Sequence, residues 1–193
     1  YFILKGLFIG NHGELALKLL TNERVGKDVK TFVSLLIDLK CTITPEAWGH
    51  KHKENMTLSH PWGASPGCSI VQGMFGILPL KAGFSAFSIK LQPGGIPMAK
   101  IKVPTVKGPI FVSYKNGSEP DLKDNKLNVE VEIPPNSRAV LHLPAQYADS
   151  SCLIVDGVIT DAIVEDCYLK VEVGSGKHTF SISQENKSHC LIF

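Results

Sequence analysis

A single carboxylate lies among aromatic and turn-forming residues in the segment TITPEAWG, residues 42–49. Glu46 in this segment is two residues before Trp48. A carboxylate beside an aromatic ring, in a loop shaped by Pro and Gly, can be held rigidly and partly shielded from water, as a general base requires. The pattern indicates Glu46 as a candidate general base in a sugar-binding cleft. The alternative is an ordinary solvent-exposed loop glutamate.

A second segment, SHPWGASPG at residues 59–67, adds a histidine and another tryptophan. His60 and Trp62 flank Pro61, which restricts the backbone and so fixes their relative directions. His60 is a candidate hydrogen-bond partner for a sugar hydroxyl, with a structural histidine as the alternative. Trp48 offers a flat apolar platform for a sugar ring, or else it fills the junction between two domains.

Other patterns argue against several kinds of site. His50 and His52 alternate along the chain, but no set of Asp, Glu or Cys residues accompanies them, so we expect no metal site and no cofactor. The Gly-Ser-Gly at residues 174–176 lacks the Lys-Ser/Thr ending and the following helix of a phosphate-binding loop, and we predict a hairpin turn there. No nucleophile elbow or Ser/His/Asp order occurs.

Composition narrows the class of protein. The chain has 193 residues and 44% hydrophobic content, enough for a buried core. Its formal charge is +2 without a basic run, so nucleic acid is not an expected partner. The longest apolar runs are shorter than the roughly twenty residues that span a bilayer, so no membrane partner is expected either. The opening YFILKGLFIG has no initiator Met and no signal-peptide pattern, which suggests a start inside a longer protein.

Sequons and cysteines favour a secreted protein. Candidate glycosylation sites occur at Asn55, Asn116 and Asn186, where composition alone would give roughly one by chance. The five cysteines have no zinc-site spacing, so one or two disulfides are compatible with the sequence. We therefore expect an extracellular location.

The first part of the chain has a helical apolar period. Helical stretches between about Phe2 and Leu39 are interrupted at residues 10–13 and 21–22, and a further helix is predicted at about Gly67–Phe75. Short Gly/Asn turns between helices predict antiparallel packing, as in a bundle or a helical barrel. Because each apolar stripe needs neighbours, we expect additional helices upstream of this chain.

After Pro79 the pattern changes to short alternating runs separated by Pro, Gly and Asn clusters. Short strands at this spacing predict an antiparallel β-sandwich. The chain is thus predicted to be a multidomain α+β protein with domains at residues 1–82 and 83–193. The predicted strands are Ala86–Leu91, Met98–Val103, Pro109–Tyr114, Asn128–Ile133, Ala139–Leu143, Leu153–Val155, Tyr168–Val173 and His178–Ile182.

Several motifs, in this order, resemble the C-terminal part of the α-L-rhamnosidases, family 78 of the glycoside hydrolases. The strand segments and the opening helices also resemble that family, so the resemblance covers nearly the whole chain. The motifs are ITPEAW (43–48), SHPWGASP (59–66) and GILPLKAGF (76–84), and the further segments are GLFIGNHGELALKLL (6–20), MAKIKVPTVKGPIFVSY (98–114), IPPNSRAVLHLP (133–144) and VGSGKHTFSI (173–182).

The resemblance implies the end of an (α/α)6 barrel within residues 1–82, followed by a C-terminal β-sandwich. It implies that Glu46 is the general base of an inverting hydrolysis of terminal α-L-rhamnosides, and that His60, Trp48 and Trp62 contact the sugar. Pro45 stands where the family usually has a tryptophan. The family's general acid lies upstream, and nothing before Glu46 here supplies it, so this chain alone is expected to be inactive.

The resemblance also implies partners. The expected ligand is a rhamnose-containing glycan or glycoside, and the expected protein partner is the upstream part of the same barrel or further copies of this chain. The missing acid and Pro45 leave a non-enzymatic alternative open. In that alternative the chain is an extracellular sugar-binding or self-assembling module derived from the same fold, and Glu46 has no catalytic role.

Overall fold

The structure is a computed structural model that describes residues 1–26, 28–116, 125–147 and 152–183. The chain divides into two units, Tyr1–Met74 and Phe75–Phe193. The domain boundary predicted from sequence, between residues 82 and 83, lies further along the chain. No helix among the described residues has the length and apolar character needed to cross a membrane.

The first unit is helical at both ends and irregular between. Its core contains two buried residues from each of the first two helices. They are Leu4 and Phe8 of the first helix and Ala16 and Leu17 of the second. Its helices are α1 (Phe2–Ile9), α2 (Gly13–Leu20), α3 (Phe32–Ile37) and α4 (Ser65–Ser69), with a 3-10 turn at Pro61–Ala64 and a π-helical turn at Ile70–Met74.

Hydrogen bonding at Thr31 sets the start of α3. The Thr31 hydroxyl accepts the Ser34 N–H at 3.1 Å, and the Ser34 hydroxyl accepts the Thr31 N–H at 3.2 Å. This reciprocal capping box satisfies two N–H groups that the first turn leaves unpaired. The helix therefore begins at Phe32. Residues between α3 and Pro61 form a long loop without helix or strand, and this loop carries Glu46 and Trp48.

Every strand that the structure describes lies in the second unit. They are β1 (Leu78–Pro79), β2 (Ala86–Lys90), β3 (Met98–Val103), β4 (Ile110–Asn116), β5 (Asn125–Ile133), β6 (Arg138–Pro144), β7 (Cys152–Val155), β8 (Val158–Thr160), β9 (Ile163–Glu165), β10 (Tyr168–Val173) and β11 (Gly176–Ser183). Short 3-10 turns occur at Ala82–Phe84 and Ala145–Tyr147.

The strands form two sheets. The five-stranded sheet has the order β1-β2-β6-β10-β9, and the six-stranded sheet has the order β3-β4-β5-β11-β7-β8. All described pairs are antiparallel except β2 with β6, which is parallel. The predicted β-sandwich is confirmed. Residues 174–176, predicted as a hairpin turn, instead join β10 of one sheet to β11 of the other.

The core of the second unit lies on the inward faces of both sheets. Side chains alternate between the two faces of a strand, so every second residue is buried. In β4 the buried members are Ile110, Val112, Tyr114 and Asn116, while Phe111 and Ser113 point outward and are half-buried. This alternation leaves one face of each sheet for other contacts.

Asp156 ties the β7–β8 hairpin to β11. Asp156 and Gly157 form the hairpin turn with φ of +52° and +82°, a geometry that Asp and Gly tolerate. The Thr179 N–H donates to Asp156 Oδ1 at 2.7 Å, and His178 Nδ1 lies 2.8 Å from Asp156 Oδ2. The hydrogen bonds from His178 and from Thr179 hold the pKa of the Asp156 carboxyl below its usual value.

Gly73 in the π-helical turn packs directly against α1, and we predict that it does not tolerate a side chain. A Cβ at Gly73 would lie 2.3 Å from Phe8 Cδ2, whereas a Cβ at Gly67 would meet nothing within 4 Å. Gly73→Ala should lower the free energy of unfolding by about 1–3 kcal/mol through overpacking. Denaturant unfolding measures the change, and Gly67→Ala is the matched control. Equal effects of the two substitutions would contradict this packing.

The Asp156 contacts predict a pH-dependent contribution to stability. The folded carboxyl has a lowered pKa, so its stabilisation is present above the ordinary pKa, about 4, and is lost as pH falls through the lowered value. Asp156→Asn, which keeps the turn geometry, should destabilise the protein at pH 6 and much less near pH 2. Unfolding curves at both pH values test this. Asp161→Asn, at an exposed position of the same unit, should show no such difference.

Candidate functional site

Two backbone hydrogen bonds close the loop that carries Glu46. The Glu46 N–H donates to the Thr57 carbonyl at 2.9 Å, and the His60 N–H donates to the Thr44 carbonyl at 2.8 Å. Gly63 also approaches this segment closely, since a Cβ there would lie 2.8 Å from the Pro45 carbonyl oxygen. The two backbone segments therefore run side by side although neither forms a strand, and they bring Glu46 near His60.

The Glu46 carboxylate is held at both oxygens. Lys53 Nζ forms an ion pair with Oε1, and the Thr57 N–H donates to Oε2 at 3.1 Å. The side chain keeps 22% of its surface exposed. The hydrogen bond from Lys53, followed by that from Thr57, lowers the pKa of Glu46 below its usual value, while burial acts in the opposite direction. The group is therefore ionised at neutral pH, as a proton acceptor must be.

Thr57 connects Glu46 to His60. Its backbone N–H binds the Glu46 carboxylate, and its hydroxyl lies 3.2 Å from His60 Nδ1. The His60 ring is edge-on to Trp62, with ring centroids 5.9 Å apart and planes at 89°. Trp62 is 59% exposed and also meets Phe2 edge-on at 5.2 Å. The structure thus links Glu46, His60 and Trp62 through one continuous set of contacts.

Trp48 lies elsewhere in the loop. Its ring packs edge-on against Phe32 of α3, with centroids 5.7 Å apart. It lines a cavity of about 300 Å³ that neither Glu46 nor His60 lines; the polar residues around this cavity include Asp28, Asp38, His50 and His52. Among the described residues no group of three or more His, Cys, Asp or Glu side chains is arranged to hold a metal ion.

Lys53 and Thr57 are the site residues that sequence reasoning missed. In the sequence, Thr57 stands out only as the last residue of the sequon at Asn55. Neither follows a motif spacing, because their contacts depend on the path of an irregular loop.

The sequons differ in their surroundings. Asn55 is exposed, whereas Asn116 is buried and its Nδ2 donates to the Ile96 carbonyl at 2.9 Å, which disfavours a glycan there. Asn186 lies outside the described residues.

Residues 76–152 match the family model described as the bacterial alpha-L-rhamnosidase C-terminal domain. None of the curated proteins matches the chain. The resemblance to the C-terminal part of the α-L-rhamnosidases is therefore confirmed through the β-sandwich.

Solved structures of α-L-rhamnosidases share the fold. The Streptomyces avermitilis enzyme complexed with L-rhamnose is 23% identical with a TM-score of 0.69, over 93% of this chain and 17% of that chain. The Dictyoglumus thermophilum protein is 19% identical with a TM-score of 0.72, over 94% and 20% of the two chains. The native Aspergillus terreus protein is 19% identical with a TM-score of 0.64, over 91% and 18%. This chain thus spans about a fifth of their length.

We predict that Lys53 is the main cause of the lowered pKa of Glu46. Lys53→Gln should raise the pKa of the Glu46 carboxyl, because its largest stabilising hydrogen bond and a nearby positive charge are both removed. A carboxyl ¹³C NMR titration measures the change. Lys51→Gln removes the same charge from an exposed position two residues away and should leave the titration of Glu46 nearly unaltered. An unchanged Glu46 titration in Lys53→Gln would show that the ion pair does not persist in solution.

Proposed function

We propose that this chain, whose residues 76–152 match the C-terminal domain of bacterial α-L-rhamnosidases, is the C-terminal part of an inverting glycoside hydrolase that removes terminal α-L-rhamnose. In this proposal the first unit provides the last helices of an (α/α)6 barrel, and the second unit is the β-sandwich that follows. The observation that carries the proposal is the linked arrangement of Glu46, Thr57 and His60.

Glu46 is the general base in this mechanism. It takes a proton from a water molecule, and the water oxygen bonds to the anomeric carbon as the bond to the leaving oxygen breaks on the opposite face. The lowered pKa supports this role because it keeps the carboxylate ionised and able to accept a proton. His60 binds a hydroxyl of the sugar, while Trp62, which contacts the His60 ring, provides an apolar wall.

The general acid comes from outside this chain. An inverting enzyme needs a carboxylic acid roughly 6.5–9.5 Å from the base, which protonates the leaving oxygen. We assign it to an upstream part of the same barrel. Apolar side chains that the first unit leaves exposed support such a partner, since an extended exposed apolar surface normally marks an interaction site. They include Phe2, Ile3, Ile9, Leu36, Ile37 and Leu58.

The location of the protein follows from the same proposal. A glycosidase must be in the same compartment as its rhamnose-containing glycan or glycoside. We propose that this compartment is outside the cell. The exposed sequon at Asn55 supports this location.

The proposal predicts that Glu46→Gln strongly slows hydrolysis of an aryl α-L-rhamnoside by the native protein. Loss of general base catalysis should lower kcat by about 10²–10⁴-fold with little change in KM. The mass of the native protein is measured first without reductant, against 21.0 kDa for this chain. ¹H NMR should show β-L-rhamnose as the first product, because the reaction inverts.

A matched control and a rescue make the test specific. Glu54→Gln changes an exposed glutamate of the same loop and should keep full activity. In Glu46→Ala, added azide should attack without needing a base and give the inverted rhamnosyl azide. Full activity of Glu46→Gln, or an α-configured first product, would overturn the assignment of Glu46.

The second candidate function is a non-catalytic module that binds sugar or assembles with its own copies. The exposed apolar residues of the first unit and the firm pairing of Glu46 with Lys53 favour it. In that case a native protein of the chain's own mass would show no turnover, and Glu46→Ala would bind α-L-rhamnosides and assemble as the parent does. Analytical ultracentrifugation and calorimetric titration distinguish this function from the enzymatic one.

A further inference from the structure

Three basic side chains occupy matching positions on three adjacent strands of the five-stranded sheet. Lys90 of β2 is in register with His142 of β6, and His142 is in register with Lys170 of β10. Residues in register on neighbouring strands project from the same face, and the strands lie about 4.8 Å apart. The three side chains therefore stand side by side, and we call Lys90, His142 and Lys170 the basic row.

The basic row is only partly neutralised. Lys170 Nζ bonds to Glu165 Oε2 of β9 at 2.8 Å. Within the described part of the chain, no carboxylate lies at ion-pair distance from Lys90 or His142. When His142 is protonated, it and Lys90 place like charges directly opposite each other, which destabilises a sheet. A negative group between Lys90 and His142 would relieve this repulsion.

The aromatic ring of Tyr168 packs against two members of the basic row. The ring is buried, Lys90 Nζ lies 4.5 Å from the ring centroid, and the His142 ring is edge-on to it at 6.3 Å. The same ring thus positions the ammonium and the imidazole together. Burial, with a smaller effect of Cys167, raises the pKa of Tyr168 to about 12, so the phenol stays neutral and does not compete as an anion.

In the part of the chain that the structure describes, the charges that act on His142 are those of Lys90, Lys170 and Glu165. Burial, then Lys170 and Lys90, lower the pKa of His142, while Glu165 acts in the opposite direction. An anion placed in the row would favour the protonated imidazole. By linkage, protonation of His142 must strengthen binding of that anion by the same factor.

We propose that the basic row is an oxyanion-binding site that takes a carboxylate, sulfate or phosphate group between Lys90 and His142, with Lys170 at its side. The row is about 10 Å long, which suits one such group rather than a polyanion backbone. Charge complementarity selects the ligand, since two of the three basic groups have no carboxylate partner among the described residues. The site uses no residue of the proposed hydrolytic reaction, so the two proposals can be tested independently.

The test follows the ring resonances of His142 by NMR while sodium sulfate, sodium phosphate or sodium glucuronate is added. Each spectrum is compared with one in sodium chloride at the same ionic strength, and glucose is the neutral control. We expect a saturable change with sulfate that chloride does not reproduce. Sulfate keeps its charge of −2 over this range and should bind more tightly at pH 5 than at pH 8; full protonation of His142 about 4 Å from the anion in water sets an upper limit of roughly thirtyfold.

Variants locate the site. Lys90→Gln should weaken sulfate binding at least several-fold, and Lys90→Arg should retain it. The matched control is Lys102→Gln, because Lys102 Nζ lies 5.0 Å from the Phe111 ring centroid on the other sheet, in a row that contains Glu132. It should bind sulfate as the parent does.

The outcomes distinguish which anion the site binds from whether the site exists. Similar binding of all three anions would support a site for any oxyanion, and binding of glucuronate alone would support a site for an acidic sugar. Changes that follow ionic strength alone, or equal effects of Lys90→Gln and Lys102→Gln, would overturn the proposal.

Discussion

The parallel pairing of β2 with β6 is the constraint on which the β-sandwich depends. β2 is the first long strand of the second unit, yet its partner follows only after β3, β4 and β5 have entered the other sheet. The Arg138 N–H donates to the Ser85 carbonyl at 3.2 Å and the Leu91 N–H donates to the His142 carbonyl at 3.1 Å, which extends the pair at both ends. A parallel pair cannot be closed by a tight turn, so this contact fixes how the chain passes between the sheets.

The same pairing organises both faces of the five-stranded sheet. Phe87 and Ile89 of β2 point inward and are fully buried, together with the inward residues of β6. Because side chains alternate, Lys90 must point outward, where the register places it beside His142. A shift of one residue would exchange these faces and bury the lysine, so the apolar core enforces the position of the basic row. Core packing and surface charge are thus two consequences of one register.

Local signals in the sequence predicted much of this fold but none of its long-range pairing. Strands with clear alternation, such as Met98–Val103 and Tyr168–Val173, were predicted with their observed bounds. The three-residue strands Val158–Thr160 and Ile163–Glu165 were missed, because they are too short and too exposed to show a period. The basic row could not be predicted, since it depends on a parallel partner far away in the chain.

The candidate site shows the same limit at shorter range. Motif resemblance selected Glu46 and His60, which the loop does bring together, through Thr57. It could not predict Lys53 as the partner of Glu46, because an irregular loop has no periodicity from which to read a contact. Trp48 was selected with them, yet it packs on Phe32 and lines a cavity of its own. Spacing in the sequence indicated the residue types of a site, and the backbone path decided which of them meet.

Lys53 also determines how strong a base Glu46 can be. The contacts that orient the carboxylate stabilise its ionised form, and a carboxylate that is stabilised in this way holds a proton less tightly. A general base works best when its pKa is close to the working pH, so orientation and basicity oppose each other here. Exclusion of water by a partner would raise the pKa through burial but would also strengthen the attraction of Lys53. In the proposed hydrolase, proton transfer to Glu46 therefore requires that the ion pair between Lys53 and Glu46 be weakened, or the Lys53 ammonium be displaced, when substrate binds.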